Sequence, residues 1–258
     1  MELRNTSAVV TGASVGIGRA IAAGLASEGA RTALIARSSN GLAETASLVE
    51  EAGGEALVCP TDLRDVDAVQ KTVSRILTAW GKVNVIANVA GVWHDETRAF
   101  SGPLLHETPA DEILAVLDVG IRAPMILTSA LLPGMVGHQV LSDARSPEYR
   151  PRPVSGFVLN ISGTFSSGGA GWLHYYVSKK AIEAFTVGLA QELRPFEIQV
   201  NCISPADVAT EPYKRFYPEH AESALQPEEV AEFALQLMRD SHRHLTGQVI
   251  ELRNRADH

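Results

Sequence analysis

The chain has 258 residues and a formal net charge of −8 at pH 7. Its length suits one α/β domain with a large core. The acidic balance, without a cluster of Lys and Arg, argues against a nucleic-acid surface, because phosphate contacts need clustered cations. Cys59 and Cys202 lie in apolar strand-like stretches, which predicts buried free thiols and a reducing cytoplasm. The N-terminus has no apolar signal core and no apolar run approaches about 18 residues, so we predict neither secretion nor a membrane span.

Short strand-like segments alternate along the chain with longer segments of helical period. They read SAVVT, RTALIA, EALVCP, VNVIAN, GFVLNI, IQVNCI and QVIEL. Seven strands separated by helices predict right-handed crossovers and a parallel sheet covered on both faces. We therefore predict one doubly wound α/β domain over residues 1–258.

Two stretches between the strands are unusual. A long helical segment begins at Pro109 and continues beyond Gly120, and Pro124 is expected to kink it. Residues 137–155 hold three prolines, three arginines and little periodicity. They indicate a surface insertion, either a flexible loop or a flap that contacts substrate or a partner.

A glycine-rich turn follows the first strand in VVTGASVGIGRAIA, at Gly12, Gly16 and Gly18. Glycines allow a tight turn and a close approach of the backbone to a pyrophosphate. The helix N-terminus behind them offers free N–H groups and a positive dipole end. Because the turn lies between a strand and a periodic helix, it predicts a nucleotide site.

Several ordered motifs resemble those of the short-chain dehydrogenase/reductase family. TGASVGIG is similar to its TGxxxGxG motif, Asp62 in CPTDLRD to its adenine-contacting Asp, and Asn88–Gly91 to its NNAG motif. Tyr175 with Lys179 is similar to its YxxxK pair, and Asn201–Thr210 to the segment beside the nicotinamide. The resemblance spans nearly the whole chain. It implies a Rossmann fold, an NAD(P)-dependent dehydrogenase or reductase, a small-molecule substrate and a dimer or tetramer.

The end of the second strand indicates which dinucleotide is bound. An NAD site usually has an acidic residue there, whereas this chain has Ala36 followed by Arg37. An arginine can pair with a 2′-phosphate, so NADP(H) is favoured over NAD(H), although Val15 stands where many NADP-binding relatives have a basic residue. The cofactor-binding residues implied by the resemblance are Gly12, Ser14, Val15, Gly16, Ile17, Gly18, Arg37, Asp62, Leu63, Asn88, Ala90, Gly91, Tyr175, Lys179, Pro205, Val208 and Thr210.

HYYVSKKA contains two tyrosine–lysine pairs one helical turn apart. The stripe from Tyr175 through Lys179 continues mostly with apolar residues, whereas the stripe from Tyr176 through Lys180 is mostly polar. Tyr175 and Lys179 are therefore the predicted inward pair. An ammonium beside a phenol stabilises the phenolate and makes the phenol a better acid. The resemblance implies that Tyr175 exchanges a proton with the substrate oxygen and that Lys179 supports it and holds the nicotinamide ribose.

The motif set departs from the family in two catalytic places. Ser162 stands thirteen residues before Tyr175, the family's usual spacing for the serine that binds the substrate oxygen, yet the NISS register puts Gly163 there. We predict Ser162 as the donor, with Thr164 the adjacent alternative. Gly120 replaces the Asn that anchors a proton-relay water in relatives, which puts that relay in doubt.

Aromatic residues dominate the predicted substrate side of the site. A ring-containing substrate is predicted, and the short interval from Thr210 to Pro227, within a substrate loop at 207–226, predicts an open cleft. No histidine or acid pair has metal-ligand spacing, so no metal is predicted. The expected substrate residues are Trp93, His94, Thr164, Trp172, His174, Tyr213, Phe216 and Tyr217.

Three functions remain open on these residues. The first is an NADP(H)-dependent reductase or dehydrogenase that acts on a carbonyl or secondary alcohol. The second is a dinucleotide-binding regulator with a decayed catalytic set, suggested by Val89, Gly120 and Gly163. The third is an enzyme that uses the fold for elimination, cyclisation or isomerisation. Retention of Tyr175 and Lys179 favours an enzyme.

Overall fold

The computed structural model describes residues 1–136, 156–165, 168–239 and 245–254. The predicted insertion at 137–155 lies outside these residues. The described strands form one parallel sheet in the order β3-β2-β1-β4-β5-β6-β7, which confirms the predicted doubly wound α/β fold. The strands are β1 Ser7–Thr11, β2 Arg31–Ala36, β3 Ala56–Pro60, β4 Val85–Asn88, β5 Phe157–Ile161, β6 Gln199–Pro205 and β7 Val249–Leu252.

Helices cover both faces of this sheet, and polar residues cap two of them. The Ser38 side chain accepts from Gly41 N–H at the start of α2, and Asp65 does the same from Ala68 N–H at the start of α3. Every residue of β1, β5 and β6 is buried, as expected for central strands between two helical layers. The helices are α1 Gly16–Ser27, α2 Ser39–Glu51, α3 Val66–Trp80, α4 Ala110–Leu117, α5 Ala123–Val136, α6 Leu173–Leu193, α7 Glu211–Phe216 and α8 Pro227–Arg239.

A π-helical turn, Asp118–Arg122, joins α4 to α5. Gly120 lies in this turn, where an added Cβ would stand 2.9 Å from the Ser178 side chain of α6. The irregularity ends just before Pro124, whose missing N–H and fixed φ suit the first turn of α5. The kink predicted at Pro124 is therefore a π-helical turn centred on Gly120.

The same helical segment, Ala110–Val136, is the one stretch of the described residues that is long and apolar enough to cross a membrane by length and composition. Its most apolar window has a mean hydropathy of 1.6 and is 39% buried. Leu127 and Leu131 of α5 are buried in the core beside α3. Packing against the sheet thus accounts for part of its apolar character.

The sheet order places the functional residues. All strands run the same way, so their carboxyl ends meet at one edge. The chain leaves β1 toward β2 on one side and later returns to β4 on the other, which opens a crevice at that edge beyond β1 and β4.

Candidate active site

The turn between β1 and α1 is packed so closely that side chains would obstruct it. A Cβ atom at Gly18 would lie 2.3 Å from the carbonyl oxygen of Gly12, and one at Gly16 would lie 2.7 Å from Thr210 Cγ2. Gly12 and Gly16 also have φ values of 66° and 59°. Val15 at the N-cap makes no side-chain hydrogen bond to the first turn of α1. That turn therefore keeps N–H groups available for an anion, and the cradle fits a pyrophosphate.

Arg19 ties this turn to the neighbouring helix. Its Nη2 donates to the carbonyl oxygen of Ser14 and to Glu44 Oε2, both at 2.6 Å, and its Nε donates to Thr45 Oγ1 at 3.1 Å. Ile17 packs partly against the core. The loop is thereby held in shape by contacts with α2 and with the core.

Thr11 links the glycine turn to the end of β4. Its Oγ1 accepts from the backbone N–H groups of Val89 at 3.0 Å and Ala90 at 3.1 Å. The Asn88 amide donates to Asn160 Oδ1 at 2.9 Å, which connects the ends of β4 and β5. The crevice floor is therefore fixed by hydrogen bonds across three strands.

The predicted adenosine end carries two arginines around one carboxylate. Arg64 donates to both oxygens of Asp62, with Nη2–Oδ2 at 2.6 Å and Nε–Oδ1 at 3.1 Å. These bonds lower the pKa of Asp62, and the positive charge of Arg37 adds to the effect. Arg37 itself is exposed, just beyond the end of β2, and Leu63 beside Asp62 is buried.

Lys179 lies on the buried stripe of α6. Lys179 is only 4% exposed. Its Nζ donates to the Ile161 carbonyl oxygen at 3.0 Å and lies 5.3 Å from the centroid of the Tyr175 ring. A Cβ atom at Gly91 would be 3.4 Å from this Nζ. The structure thus brings Tyr175 and Lys179 together at the ends of β4 and β5.

The second pair has a different environment. Lys180 is exposed, and its Nζ pairs with Glu183 Oε2 at 2.9 Å. This contact raises the pKa of Lys180. Lys180 therefore lies on the exposed side of α6, whereas the Tyr176 ring is half-buried and packs edge-on against Phe165 at 5.2 Å.

The two hydroxyls predicted to bind the substrate oxygen have other partners. Ser162 Oγ lies 2.7 Å from Glu183 Oε1 and 3.1 Å from the Lys179 carbonyl oxygen. Thr164 Oγ1 donates to the Pro205 carbonyl oxygen at 2.8 Å. Among the described residues, neither hydroxyl makes a hydrogen bond to Tyr175. The Ser162 role stays a prediction, and it requires the hydroxyl to turn away from Glu183.

Aromatic side chains link the predicted substrate residues to Tyr175. The Trp172 ring lies 5.9 Å from Tyr175 and 6.5 Å from Trp93, between centroids. Trp93 contacts His94 at 4.5 Å and Tyr217 at 6.3 Å. We call Trp93, His94, Trp172, Phe216 and Tyr217 the aromatic wall.

Tyr213 and Phe165 extend this group at its two ends. Tyr213 stacks on Tyr217 at 5.3 Å, and its burial, together with a hydrogen bond to Asp207, raises its pKa. Phe165, which the sequence reasoning missed, packs edge-on against Tyr175 at 5.9 Å. Its position four residues after β5 was the available signal.

The open cleft stays a prediction, and the two segments on the substrate side of the site contact each other. Thr210 caps α7 by accepting from Tyr213 N–H at 3.3 Å, and α7 leads onto the loop that follows β4. The Tyr217 hydroxyl meets Ser101 Oγ at 3.0 Å, and Arg215 Nη2 donates to the Glu96 carbonyl oxygen at 2.7 Å. We call these two segments, 93–101 and 211–217, the clasp. Val208 bridges to Leu225 behind α7 and anchors the base of the segment.

His174 was expected beside the substrate, but the structure buries it between α4 and α6. Its Nε2 lies 3.2 Å from Glu112 Oε1, and Arg98 pairs with the other Glu112 oxygen. Burial lowers the pKa of His174, Arg98 lowers it further, and Glu112 opposes both effects. Within the described ranges, no group of three or more His, Cys, Asp or Glu side chains could hold a metal ion.

Comparisons with known proteins agree with this arrangement. A family model described as short chain dehydrogenase matches residues 6–220. A short chain dehydrogenase of Pseudocercospora fijiensis is 32% identical over 212 residues, which are 81% of this chain but 62% of that relative. A short-chain dehydrogenase/reductase from Serratia marcescens superimposes with a TM-score of 0.81 at 27% identity, covering 98% of both chains. A short chain dehydrogenase from Burkholderia cenocepacia, solved in complex with NADP, gives 0.82 at 25% identity over 100% of both chains.

Proposed function

The chain belongs to the short-chain dehydrogenase/reductase family, and from that premise we propose that it is an NADP(H)-dependent oxidoreductase. It interconverts a ketone and a secondary alcohol on a cyclic or aromatic small molecule. The observation that carries the proposal is the buried Lys179 ammonium, 5.3 Å from the Tyr175 ring centroid and across the crevice from the glycine cradle. A buried ammonium is costly unless its charge is used or balanced.

Tyr175 and Lys179 supply the proton chemistry. In the reductive direction Tyr175 donates its phenolic proton to the carbonyl oxygen as a hydride is added to the carbonyl carbon, and the oxygen stays on that carbon as the hydroxyl group of the product. Lys179 stabilises the phenolate left on Tyr175. In the oxidative direction the phenolate accepts the proton from the alcohol. When bound, the nicotinamide exchanges the hydride with the substrate carbon.

The cradle and Arg37 support the choice of cofactor. Gly12, Gly16 and Gly18 would hold the pyrophosphate, and Asp62 would hold the adenine end. Arg37 is exposed and follows β2, at the place where an NAD site usually has an acidic residue. Its guanidinium can pair with a 2′-phosphate, which a carboxylate would repel. The NADP complex of the Burkholderia relative is a further support. Together these features favour NADP(H) over NAD(H).

The aromatic wall supports a ring-containing substrate. Trp93 and Trp172 offer flat apolar surface on the side of the site that carries Tyr175. Ring faces pack against such surfaces with a gain beyond simple burial, of about 0.5–1.5 kcal/mol per pair. Substrate entry requires the clasp to open, because Phe216 and Tyr217 lie against Trp93.

A second candidate function rests on Ser162. Its hydroxyl is engaged by Glu183, and Gly120 offers no side-chain amide for a proton relay. A protein with this set could bind the dinucleotide as a regulator or use the fold for a non-redox step such as elimination or isomerisation. The retained Tyr175 and Lys179 pair makes the oxidoreductase our first choice.

The cellular compartment and the oligomeric state of the protein belong to the same proposal. Cys59 and Cys202 are buried free thiols, as predicted, and burial raises the pKa of Cys202 to about 12, which suits a reducing cytoplasm. We place the protein there as a single-domain homo-oligomer, dimer or tetramer, with no nucleic-acid or membrane partner. Exposed apolar side chains on α4, α5 and α6 support assembly with a second copy, namely Leu114, Met125, Leu173, Val177 and Val187.

The test is a titration of the purified protein with NADPH, NADP, NADH and NAD, followed by nicotinamide absorbance with cyclic, aromatic and short aliphatic ketones. We expect tight NADPH binding and oxidation of NADPH by ring-containing ketones. Binding without turnover across the panel would favour the second candidate. No binding of any of the four dinucleotides would refute both.

A further inference from the structure

A buried carboxylate lies behind the aromatic wall. Glu112, in the first turn of α4, has a side chain only 5% exposed. Arg98 Nη2 pairs with its Oε2, and His174 Nε2 lies 3.2 Å from its Oε1 with a side chain also 5% exposed. Neither the Glu112 Oε1 nor the His174 Nε2 has a well-aligned hydrogen-bond partner among the described residues, so this contact is one of charge and proximity. We call Arg98, whose side chain is 43% exposed, Glu112 and His174 the triad.

One arm of the triad holds the loop that carries Trp93. Phe100 N–H donates to the Trp93 carbonyl oxygen at 2.8 Å, and Asp95 N–H donates to the Arg98 carbonyl oxygen at 3.0 Å. His94 bridges to Ala99, so residues 93–100 form a short closed turn. Arg98 fastens this turn to α4 through Glu112, while its guanidinium lies 5.3 Å from the Phe100 ring centroid.

The other arm holds the start of α6. His174 is the second residue of that helix and immediately precedes Tyr175. Trp172, at the N-cap, contacts both Tyr175 and Trp93. Glu112 therefore touches the two segments that provide the aromatic wall and the proposed proton donor, which are far apart in the chain.

We propose that Glu112 is a positioning residue that sets the spacing between the Trp93 turn and the Tyr175 helix, and so the placement of a ring-containing substrate against the proton donor. The proposal rests on the proposed function for its consequence in catalysis, but its structural part does not. A carboxylate can hold two cationic or hydrogen-bonding groups at once, one on each oxygen. An amide at the same place would keep the shape and lose the charge that pairs with Arg98.

The triad also gives an electrostatic signature that simple packing would not. Glu112 raises the pKa of His174 and Arg98 lowers it, against a background of burial that also lowers it. Removing the Glu112 charge should therefore move the His174 pKa further down. Removing the Arg98 charge should raise the His174 pKa, because a nearby positive charge disfavours the protonated imidazole and a nearby negative charge favours it.

The experiment compares Glu112→Gln and Arg98→Met with Glu96→Gln, an exposed carboxylate change on the same loop. Amide hydrogen exchange of residues 93–101 and 172–176, the NMR-detected His174 pKa and NADPH affinity are measured for each. We expect faster exchange in both segments for Glu112→Gln and in 93–101 for Arg98→Met. The His174 pKa should shift in opposite directions in the two variants, with NADPH affinity unchanged within about twofold.

Turnover with the ring-containing ketone completes the test. Glu112→Gln should lower kcat/KM roughly ten- to hundredfold, since small misplacements at a reacting centre carry costs of that order. Arg98→Met should mainly raise KM, because Arg98 lies on the Trp93 turn and fastens that turn, rather than the Tyr175 helix, to Glu112. Both variants behaving like Glu96→Gln would overturn the proposal. If Glu112→Gln does not fold, the exchange and pKa results for Arg98→Met test the proposal. If the wild type does not bind NADPH, the proposed function is refuted, but the exchange and pKa results still test the positioning role of Glu112.

Discussion

Lys179 and Lys180 are adjacent in the chain but stand in opposite environments. The Lys180 side chain, 46% exposed, pairs with Glu183 one turn further along α6. The Lys179 ammonium is buried, with the Ile161 carbonyl oxygen as its hydrogen-bond acceptor and the Tyr175 ring beside it. A fold has little reason to bury an ammonium for stability alone. Its position beside Tyr175 is best explained by the proton chemistry.

The choice of cofactor is predicted to depend on Arg37. Arg37→Asp should weaken NADPH binding roughly tenfold or more and reduce the preference over NADH, because a carboxylate repels the 2′-phosphate that a guanidinium attracts. Fluorescence titration with both nucleotides measures this. Lys82→Asp makes the same charge change on an exposed residue just before β4, at the opposite edge of the sheet, and should leave both affinities unchanged. Equal effects of the two variants would contradict the assignment.

The substrate-oxygen donor is tested by Ser162→Ala. If the hydroxyl turns from Glu183 to the substrate, the variant should lose on the order of 10²-fold in kcat with NADPH affinity intact. Gly163→Ser is the companion variant. A Cβ at Gly163 would be 3.9 Å from Phe165 Cε2, an ordinary contact, so a serine fits there. Normal activity of Ser162→Ala, together with a higher kcat for Gly163→Ser, would show that the substrate-oxygen donor belongs at position 163 and not at Ser162.

At the scale of elements, we propose that the two clasp segments control substrate access to the site. They meet through the Tyr217–Ser101 and Arg215–Glu96 contacts, which join residues more than one hundred positions apart. The α7 helix has only six residues, and it is capped by Thr210, which also packs on the glycine cradle. Motion of α7 is therefore linked to both the substrate side and the cofactor side.

The clasp is predicted to loosen in Tyr217→Phe. The variant keeps the ring on Trp93 and removes the hydroxyl that meets Ser101, a bond of about 0.5–1.5 kcal/mol. Amide exchange in 211–217 should rise about two- to tenfold. Tyr213→Phe is the control, because its hydroxyl bonds Asp207 within the same segment and does not cross the clasp. Faster exchange in the control but not in Tyr217→Phe would show that the clasp contact has no role in closure.

The elements themselves could be predicted from local pattern, whereas their mutual contacts could not. All seven strands were recognisable because each is a short apolar run between helical segments, and the glycine turn follows directly from backbone sterics. The closure of Tyr217 onto Ser101 depends on distant residues meeting, which no local period encodes. His174 looked like a substrate residue for the same reason, since its partners Arg98 and Glu112 lie far away in the sequence.

At the scale of the whole molecule, the parallel sheet explains why scattered motifs form one site. The glycine turn, Asp62, the end of β4 and the end of β5 are separated in sequence but share the carboxyl edge of the sheet. The helices α4, α5 and α6 that frame this edge also carry the exposed apolar side chains. Assembly through that face would bury them and stiffen the helix that bears Tyr175.

Assembly is predicted to depend on α4. Leu114, 59% exposed, changed to Glu should shift the wild-type oligomer toward a smaller species in sedimentation velocity, because a carboxylate in an apolar interface is left without a partner. Leu48→Glu on α2 is the matched control, an exposed leucine on another helix, and should not change the sedimentation coefficient. A wild-type monomer, or equal behaviour of both variants, would exclude this face as the interface.

The most direct test of the account is Tyr175→Phe measured beside Tyr176→Phe, with NADPH affinity and turnover of a ring-containing ketone determined for each. Tyr175→Phe should abolish measurable turnover and leave NADPH affinity within about twofold, since only the phenolic proton is lost. Tyr176→Phe should stay close to wild type, because the substitution keeps the half-buried ring and the lost hydroxyl belongs to the residue beside the exposed Lys180. Full activity of Tyr175→Phe, or a greater loss in Tyr176→Phe, would contradict the proposed proton donor.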